Sequence, residues 1–410
     1  MDIARIDAEA ARLEEKVIAW RRDIHAHPEL GNREFRTAAL VAEHLKSLGL
    51  EVRTGVAHTG VVGLLRGGRE GGVVALRADM DALPVAERLD LPFASNVRTE
   101  YGGREVGVMH ACGHDGHVAI LMGVAEILAK LRDDLRGTVK FIFQPAEEGA
   151  PEGEEGGAGL MVKEGVLRDP APSAIFGLHI GSRLEVGQIG VRIGGAMASV
   201  DTLSITVRGR QTHGAYPWLG VDPVVVASQI VLALQTIPSR QLDLTAAPSL
   251  VTIGAIHGGV RNNIIPDEVE MIGTIRALDG RIRSEMHERI RRTAGKIAES
   301  AGATASVRID AGYPVMWNDP PLTERMLPTL RRVAGSEHLS MVSPTLGSED
   351  FAYFQKEIPG LFFFVGTRPR GTAVADVPAN HSPDFFVDES GLLLGVRALA
   401  HLAADYLESE

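Results

Sequence analysis

The feature that most constrains the fold is the alternation of short β-branched or aromatic runs with longer helical patterns. Strand-like runs cover residues 73–78, 138–143 and 174–178, and a helical pattern covers residues 117–131. This alternation is typical of a mainly parallel sheet with helices on both faces. The first half of the chain therefore predicts an α/β domain built on a mainly parallel, mixed sheet.

A different order of elements occupies the middle of the chain. Its runs predict strand, helix, strand, strand, helix and strand, at residues 203–207, 222–237, 250–256, 268–276, 281–300 and 304–309. The order β-α-β-β-α-β is that of a ferredoxin-like α+β unit. The first pattern resumes beyond residue 313, with helices at 322–334 and 389–407 and a strand at 361–365. We predict a discontinuous domain, residues 1–186 and 313–410, with a smaller domain, residues 187–312, inserted into it.

Composition excludes several classes of partner. The 53 acidic residues outnumber the 42 Lys and Arg, and the net charge of −11 disfavours binding to nucleic acid or anionic lipid. A single cysteine cannot form an intramolecular disulfide. No secretory signal and no apolar stretch of membrane-spanning length are visible. We therefore expect a cytoplasmic protein with no nucleic-acid or membrane partner.

Metal-binding side chains are concentrated in the segment MHACGHDGH, residues 109–117, which holds three of the 14 histidines and the only cysteine. A helix start with incidental histidines is the alternative interpretation of this segment, and His/Cys-rich tracts favour metal binding. Further candidate metal ligands or acidic groups stand just after the predicted strands, or, for the last of them, after the loop that follows a strand. They are Asp79, Asp81, Glu147, Glu148, His179 and His381. Ligands gather beyond the carboxyl ends of strands in open α/β sheets, so we expect these side chains to converge.

Thiolate, imidazole and carboxylate ligands together suit zinc, manganese, cobalt or nickel better than calcium or magnesium. More than four candidate ligands indicate two ions, which can share a hydroxide and polarise a carbonyl. Such a pair of ions suits the hydrolysis of an amide or ester. One of the adjacent carboxylates Glu147 and Glu148 can then bind metal, while the other carries the proton from water to the leaving group. The sequence has no G-x-S-x-G elbow, no phosphate-binding glycine loop and no zinc-deaminase pattern. Their absence disfavours a serine hydrolase, a nucleotide-dependent enzyme and a zinc deaminase.

Eight ordered blocks from residue 20 onward resemble the hippurate hydrolases, N-acyl-amino-acid deacylases and auxin-conjugate hydrolases. The blocks are RRDIHAHPEL, RADMDALPV, MHACGHDGH, FQPAEEG, GLH, GVRNNIIPDEVEMIGTIRA, SEDF and NHSP. The wider superfamily includes carboxypeptidase G and consists of dinuclear zinc enzymes with a zinc-peptidase-like catalytic domain and an inserted lid or dimerisation domain. The resemblance implies the same architecture here, and a homodimer or higher homo-oligomer that contacts through residues 187–312.

The resemblance also implies roles for individual residues. The metal ligands would be Cys112, His114, Glu148, His179 and His381, with Cys112 as the bridge. Glu147 would be the general base and acid. Arg77 stands where the wider superfamily has a histidine ligand, so Asp79 would orient the site rather than bind metal. From the inserted domain, His213 would stabilise the oxyanion in the partner's active site, and Asn263 and Arg276 would bind the substrate carboxylate.

We therefore expect a metal-dependent amidohydrolase that cleaves the amide of hippurate-like or N-acetyl amino acids, using a metal-bridging hydroxide and Glu147. If the protein is an enzyme, the alternative activity is that of a metallo-aminopeptidase or dipeptidase. If it is not an enzyme, the alternative is a non-catalytic protein that binds acyl-amino acids. The acidic loop at residues 150–159 is longer and more charged than the resemblance leads us to expect, and we hypothesise that it shapes the pocket entrance. The acyl-binding wall carries no recognisable motif.

Overall fold

The computed structural model describes residues 3–410, so residues 1 and 2 of the predicted first segment lie outside the described part. The chain forms two compact units. The first comprises the chain up to Gly194 together with Asn318–Val342 and Tyr353–Glu410. The second comprises Gly195–Trp317 and Ser343–Ala352.

The first unit is built on an eight-stranded mixed sheet with the order β1-β2-β6-β3-β7-β18-β8-β17. Its strands are β1 (Glu51–Val56), β2 (Gly60–Arg66), β3 (Arg69–Asp79), β6 (Arg136–Gln144), β7 (Ala174–Glu185), β8 (Ile189–Val191), β17 (Leu339–Met341) and β18 (Gly360–Arg368). The four central strands, β6, β3, β7 and β18, are mutually parallel. A small hairpin, β4 (Arg98–Tyr101) and β5 (Arg104–Gly107), lies outside this sheet.

Strand register explains why polar side chains meet at one edge of the sheet. Asp79 at the end of β3 pairs with Gln144 at the end of β6. Arg77 pairs with Gly177 on the other neighbour, β7, which places His179 at the level of Asp79. β7 continues to Glu185, so His179 lies within the strand and not beyond its end as the sequence predicts.

The helices along the chain are α1 (Ile3–Ala26), α2 (Phe35–Ser47), α3 (His114–Lys130), α4 (Gly157–Lys163), α5 (Pro223–Thr236), α6 (Gly280–Ser300), α7 (Pro320–Ala334), α8 (Ala352–Gln355) and α9 (Leu392–Glu408). Almost every side chain of α3 is buried, because the helix packs against the sheet on one side and against α1 and α9 on the other. Among residues 3–410, no helix combines the length and apolar character that a bilayer crossing requires.

The second unit has a four-stranded antiparallel sheet with the order β12-β14-β10-β15 and its own hydrophobic core. The strands are β10 (Ser199–Arg208), β12 (Ser249–Gly258), β14 (Glu268–Ala277) and β15 (Thr304–Ala311). Helices α5 and α6 pack against this sheet. The remaining short strands are β9 (Gly194–Met197), β11 (Thr212–His213), β13 (Ile264–Ile265) and β16 (Met316–Asn318).

The predicted fold class is confirmed: an α/β part with a mainly parallel, mixed sheet is interrupted in sequence by a β-α-β-β-α-β part. The limits of the second unit differ from the predicted segment 187–312, because β8 still pairs with β17 and β18 in the larger sheet. The segment Ser343–Ala352 also joins the second unit, which no periodicity in the sequence indicates. A lid or dimerisation role for this unit stays a prediction.

Candidate metal centre

Cys112 and His114 stand at the start of helix α3, on either side of a glycine that makes the turn possible. Gly113 adopts φ 92°, a left-handed conformation that favours glycine. The turn presents the Cys112 sulfur beside the amino end of the helix, where the partial positive charge of the helix dipole stabilises a thiolate. Both side chains are buried.

Two sets of potential ligand atoms share the Cys112 sulfur. In each set the ligand atoms all lie within 4.8 Å of one another. One set contains Cys112, His114 and His179, and the other contains Cys112, Glu148 and His381. The structure thus brings together all five residues that the sequence predicts as ligands, with Cys112 common to both sets.

The two buried histidines of the first set each present one nitrogen to the cluster. Nδ1 of His114 donates to the Asp81 carbonyl at 2.9 Å, and Nδ1 of His179 donates to the Ile180 carbonyl at 2.8 Å. In the neutral form each ring then carries its lone pair on Nε2. The Nε2 of His114 is buried with no hydrogen-bond partner, and the Nε2 of His179 lies 3.4 Å from the Cys112 sulfur. This is the tautomer and orientation that metal-binding histidines adopt.

His117 belongs to the same histidine-rich segment, but both of its ring nitrogens are already used. Its Nε2 accepts from the Ile180 amide at 2.9 Å, and its Nδ1 donates to Asp79 Oδ1 at 2.6 Å. The other oxygen of Asp79 accepts from Arg77 Nη1 at 2.7 Å. Burial favours protonation of Asp79, but Arg77 and the imidazoles more than offset it and hold the pKa of this carboxyl well below its ordinary value. Asp79 is thus a buried, fixed carboxylate whose oxygens both have partners, which suits a positioning group.

The adjacent glutamates after β6 are held in different ways. The Glu148 amide donates to Asp81 Oδ2 at 2.9 Å, so Asp81 links the Glu148 backbone to the His114 ring. The Glu148 carboxylate lies 3.0 Å from His381 Nε2. The Glu147 carboxylate is buried, lies 4.0 Å from His114 Nε2, and belongs to neither set that contains Cys112.

The titration behaviour of the cluster follows from the thiol. Burial by itself raises the pKa of the Cys112 thiol, but the imidazoles of His179, His114 and His381 hold that pKa well below its usual range. Burial lowers the pKa of His179 and the Cys112 thiolate raises it, and the result is about 9. Hydrogen bonds to the Cys112 sulfur and the Glu148 carboxylate raise the pKa of His381 to about 10. The cluster therefore holds protons at neutral pH that a bound cation would displace.

The donor set fits a pair of divalent cations. It combines thiolate, imidazole and carboxylate groups, and the buried Nε2 of His114 is oriented to donate to an ion. One ion would be held by the set of His114 and His179, the other by the set of Glu148 and His381, and Cys112 would belong to both. Hard cations that prefer oxygen ligands alone fit this set poorly.

The other predicted site residues lie in the second unit. His213 on β11 pairs opposite Ile264 on β13, and the Gly214 amide donates to the Asn263 carbonyl at 2.8 Å, so His213 and Asn263 share one ribbon. The Ala215 amide donates to His213 Nδ1 at 3.0 Å, which leaves Nε2–H of the neutral ring as a donor. Arg276 on β14 donates from Nη1 to Ser348 Oγ at 3.2 Å and to the Leu346 carbonyl at 3.3 Å.

Glu34 positions the adjacent glutamates Glu147 and Glu148, and nothing in the sequence indicates this role. Ala146, directly before the glutamate pair, has φ 52°, an unfavourable conformation for a residue with a Cβ. The buried carboxyl of Glu34 accepts the Ala146 amide at 2.9 Å and also accepts the Thr59 hydroxyl. Burial, together with the nearby Asp81 carboxylate, raises the pKa of Glu34 to about 8. Glu34 therefore stabilises the turn that orients Glu147 and Glu148, over a sequence distance that no local pattern reveals.

Replacing Glu34 tests this support. We expect Glu34→Ala to destabilise the protein by about 1–3 kcal/mol, because the buried Ala146 amide loses its acceptor. Amide hydrogen exchange at residue 146 should accelerate at least about tenfold, whereas Glu34→Gln, which keeps an acceptor oxygen, should stay close to wild type. Unchanged exchange at residue 146 in Glu34→Ala would contradict the role of Glu34.

Known proteins resemble this chain over almost its whole length. The thermostable carboxypeptidase 1 of Saccharolobus solfataricus is 41% identical over 406 residues, which are 98% of each chain. The N-acetyl-L-cysteine deacetylase of Bacillus subtilis is 36% identical, over 97% of this chain and 89% of that protein. The predicted resemblance to N-acyl-amino-acid amidohydrolases is thus confirmed.

A solved structure leads to the same family. The YXEP protein of Bacillus subtilis, described as a dinuclear metal-binding peptidase from the M20 family, superimposes with a TM-score of 0.82. The two chains are 36% identical, and the match covers 98% of this chain and 100% of that one. The family model for peptidase family M20/M25/M40 matches residues 75–405, which include every residue of the metal-ligand cluster. The chain belongs to peptidase family M20/M25/M40 and is a metal-dependent hydrolase of amide bonds.

Proposed function

We propose that this protein hydrolyses the amide bond of N-acyl-L-amino acids, giving a carboxylic acid and a free amino acid. The observation that carries the proposal is the buried Glu147 carboxylate beside, but outside, the two ligand sets that share Cys112. A protein that only binds its ligand has no need of such a group. The Bacillus subtilis relative named as an N-acetyl-L-cysteine deacetylase acts on an N-acyl amino acid, which supports the same bond class.

The proposal includes two divalent cations, held by Cys112, His114 and His179 and by Cys112, Glu148 and His381. When bound, they supply Lewis acidity toward the substrate carbonyl and the attacking water. The mixed ligand set favours zinc, manganese, cobalt or nickel, and the dinuclear YXEP protein supports the number of ions.

Glu147 is the proton carrier in this proposal. Its buried carboxylate takes the proton of the attacking water and delivers it to the amide nitrogen as that nitrogen leaves. Asp79 keeps His117 and Arg77 fixed beneath the cluster through its two short hydrogen bonds. Asp81 fixes the relative positions of His114 and Glu148.

The second unit supplies the remaining roles. His213, whose Nε2–H is left as a donor by the Ala215 contact, stabilises the oxyanion, and a donor of this kind is worth about 3 kcal/mol in the transition state. Arg276 and Asn263 bind the substrate carboxylate, since a guanidinium can form two parallel hydrogen bonds with it. These assignments rest on resemblance to the family: His213 lies in the segment QTHGAYP, residues 211–217, and Asn263 and Arg276 lie in the block GVRNNIIPDEVEMIGTIRA.

A metallo-aminopeptidase or dipeptidase is the rival activity. An enzyme of that kind requires a free amino group on its substrate, whereas the proposed activity requires the amino group to be acylated. A panel of hippurate, N-acetyl amino acids and dipeptides separates the two. Cleavage of dipeptides alone would reject the proposed function.

Glu147→Gln tests the proton carrier. The variant should keep the metal content of the wild type, because Glu147 lies outside the proposed ligand sets, and its kcat on N-acyl amino acids should fall by about 100- to 10,000-fold. Glu337→Gln, a matched change at an exposed glutamate, should leave kcat unchanged. Metal analysis beside steady-state kinetics makes the comparison, and wild-type turnover by Glu147→Gln would remove Glu147 from the mechanism.

We also propose that the protein is a homodimer that pairs through the second unit. Several large apolar side chains of this unit are exposed, among them Leu232 and Val225 on α5, Ile256 on β12 and Ile272 on β14. β12 is an edge strand of its sheet, so its outer backbone groups are available for pairing with another chain.

The cytoplasmic location likewise stays a prediction from composition.

Shared active sites predict complementation between two inactive variants. His213→Ala and Glu147→Gln subunits, mixed and allowed to exchange, should regain about a quarter of wild-type activity, because half of the dimers are hybrids and each hybrid has one complete site. Each variant alone is the control. Hybrid dimers, identified by a tag on one subunit, that stay inactive would show that His213 does not serve the neighbouring subunit.

A further inference from the structure

The block RRDIHAHPEL, residues 21–30, has no part in the proposed mechanism. Its residues 21–26 form the end of helix α1, which packs against helix α3. Arg21 and His25 lie one helical turn apart on α1, and both are almost fully buried. Buried polar and charged side chains require partners, so the partners of these two residues indicate what the block does.

Both side chains converge on Asp115, in the first turn of α3. Arg21 Nε donates to Asp115 Oδ2 at 2.7 Å, and His25 Nδ1 lies 2.8 Å from the same oxygen. Among residues 3–410 the other oxygen, Oδ1, has no hydrogen-bond partner, so the side-chain hydrogen bonds of Asp115 all go to α1. We refer to Arg21, His25 and Asp115 as the α1–α3 clamp.

Further contacts fix the α1 side of the α1–α3 clamp. Arg21 Nη1 donates to Glu389 Oε1 at 3.2 Å, and its guanidinium carbon lies 5.1 Å from the centre of the Phe93 ring. His25 Nε2 lies 3.1 Å from Glu87 Oε1. The two α1 side chains are thus held from several directions, and they cannot follow Asp115 if the start of α3 moves.

The start of α3 requires such support. Gly113 occupies the N-cap position of this helix, and it has no side chain that could accept the free amides of the first turn. His114 follows Gly113, and Asp115 follows His114. The first turn therefore carries a proposed metal ligand without a side-chain cap, and Asp115 joins this turn to α1 instead.

The energetics of a buried ion pair agree with a positioning role. The pair of Arg21 and Asp115 is almost completely excluded from solvent. A buried ion pair adds little net stability, because the loss of hydration offsets the attraction, but its directional hydrogen bonds favour one arrangement of the groups that carry it. Asp115 is joined through the backbone to His114 and Cys112, so the arrangement that is favoured includes both ligands.

We propose that Arg21 and His25 are positioning residues of the metal centre, and that they act through Asp115 on Cys112 and His114. The inference rests on the ligand sets of the proposed function and adds a role for the first family block. The α1–α3 clamp fixes where the Cys112 sulfur and the His114 ring lie, and thereby how tightly divalent cations are held.

The test measures how tightly the full-length protein holds Co²⁺, an ion of the class that the ligand set favours. The cobalt-loaded protein is titrated with a chelator of known cobalt affinity, and the thiolate-to-cobalt absorption band in the near ultraviolet reports the bond to Cys112. Arg21→Met should weaken cobalt binding by about 10- to 100-fold and change the band of the saturated protein, because the first turn of α3 loses its link to α1.

Arg22→Met is the matched control. Arg22 pairs with the same Glu389 carboxylate at 2.6 Å, and its guanidinium carbon lies at the same distance of 5.1 Å from the centre of the Phe93 ring. The Arg22 side chain is half exposed, and its hydrogen bonds go to Glu389 and not to Asp115. Cobalt affinity and the absorption band should therefore be those of the wild type.

A double variant separates positioning from stability. Arg21→Met alone leaves the Asp115 carboxylate buried without its ion-pair partner, which lowers the melting temperature whatever the role of the pair. Arg21→Met/Asp115→Leu replaces the pair by apolar side chains of similar shape, and such replacements are often neutral for stability. The double variant should regain most of the melting temperature, yet its cobalt affinity should stay about 10- to 100-fold below that of the wild type.

Wild-type cobalt affinity and an unchanged band in the double variant would overturn the inference and leave the α1–α3 clamp as a packing contact only. An equal loss of affinity in Arg22→Met would also overturn it, because the effect would then not depend on Asp115. A wild type without a thiolate-to-cobalt band would overturn the proposed ligand sets, and this role with them. A wild type that shows the band but cleaves no N-acyl amino acid would overturn the proposed function alone.

Discussion

The buried sulfur of Cys112 is the group on which the site depends. A thiol in an apolar interior would normally stay protonated, yet three imidazoles and the amino end of α3 surround this one and favour the thiolate. The same negative charge raises the pKa values of His179 and His381. Since both sets of potential ligands contain this sulfur, its position decides whether one or two cations can be held.

The side chains around the sulfur are kept in place by a second layer of hydrogen bonds. Asp81 connects His114 with the Glu148 amide, and Asp79 connects Arg77 with His117. These residues lie on or just after neighbouring parallel strands and at the start of one buried helix. The sheet and the helix therefore hold the proposed metal ligands in fixed positions. Glu34 extends the layer to the strained turn at Ala146, which carries the proposed proton carrier and one proposed ligand.

Much of this could be predicted from the sequence because the decisive signals are local. Strand runs ending in acidic or imidazole residues, and one dense His/Cys segment, locate the edge of the sheet where the ligands meet. The adjacent glutamates could be recognised, but the sequence gives no reason for Glu34 to reach Ala146 across more than one hundred residues. The sequence can also suggest too many ligands. His117 lies in the His/Cys-rich segment 109–117 and could be taken for a ligand, but both of its ring nitrogens are used in hydrogen bonds to other protein groups. The placement of Ser343–Ala352 in the second unit also depends on tertiary contacts that no periodicity encodes.

The most direct test of the account is anomalous X-ray diffraction from crystals of the zinc-loaded protein. The account predicts two anomalous peaks per chain, each at about 2.3 Å from the Cys112 sulfur, the usual zinc–thiolate distance. One peak should adjoin His114 and His179, and the other Glu148 and His381. A single peak, or two peaks of which either lies beyond bonding distance of that sulfur, would contradict the claim that Cys112 joins the two halves of the site.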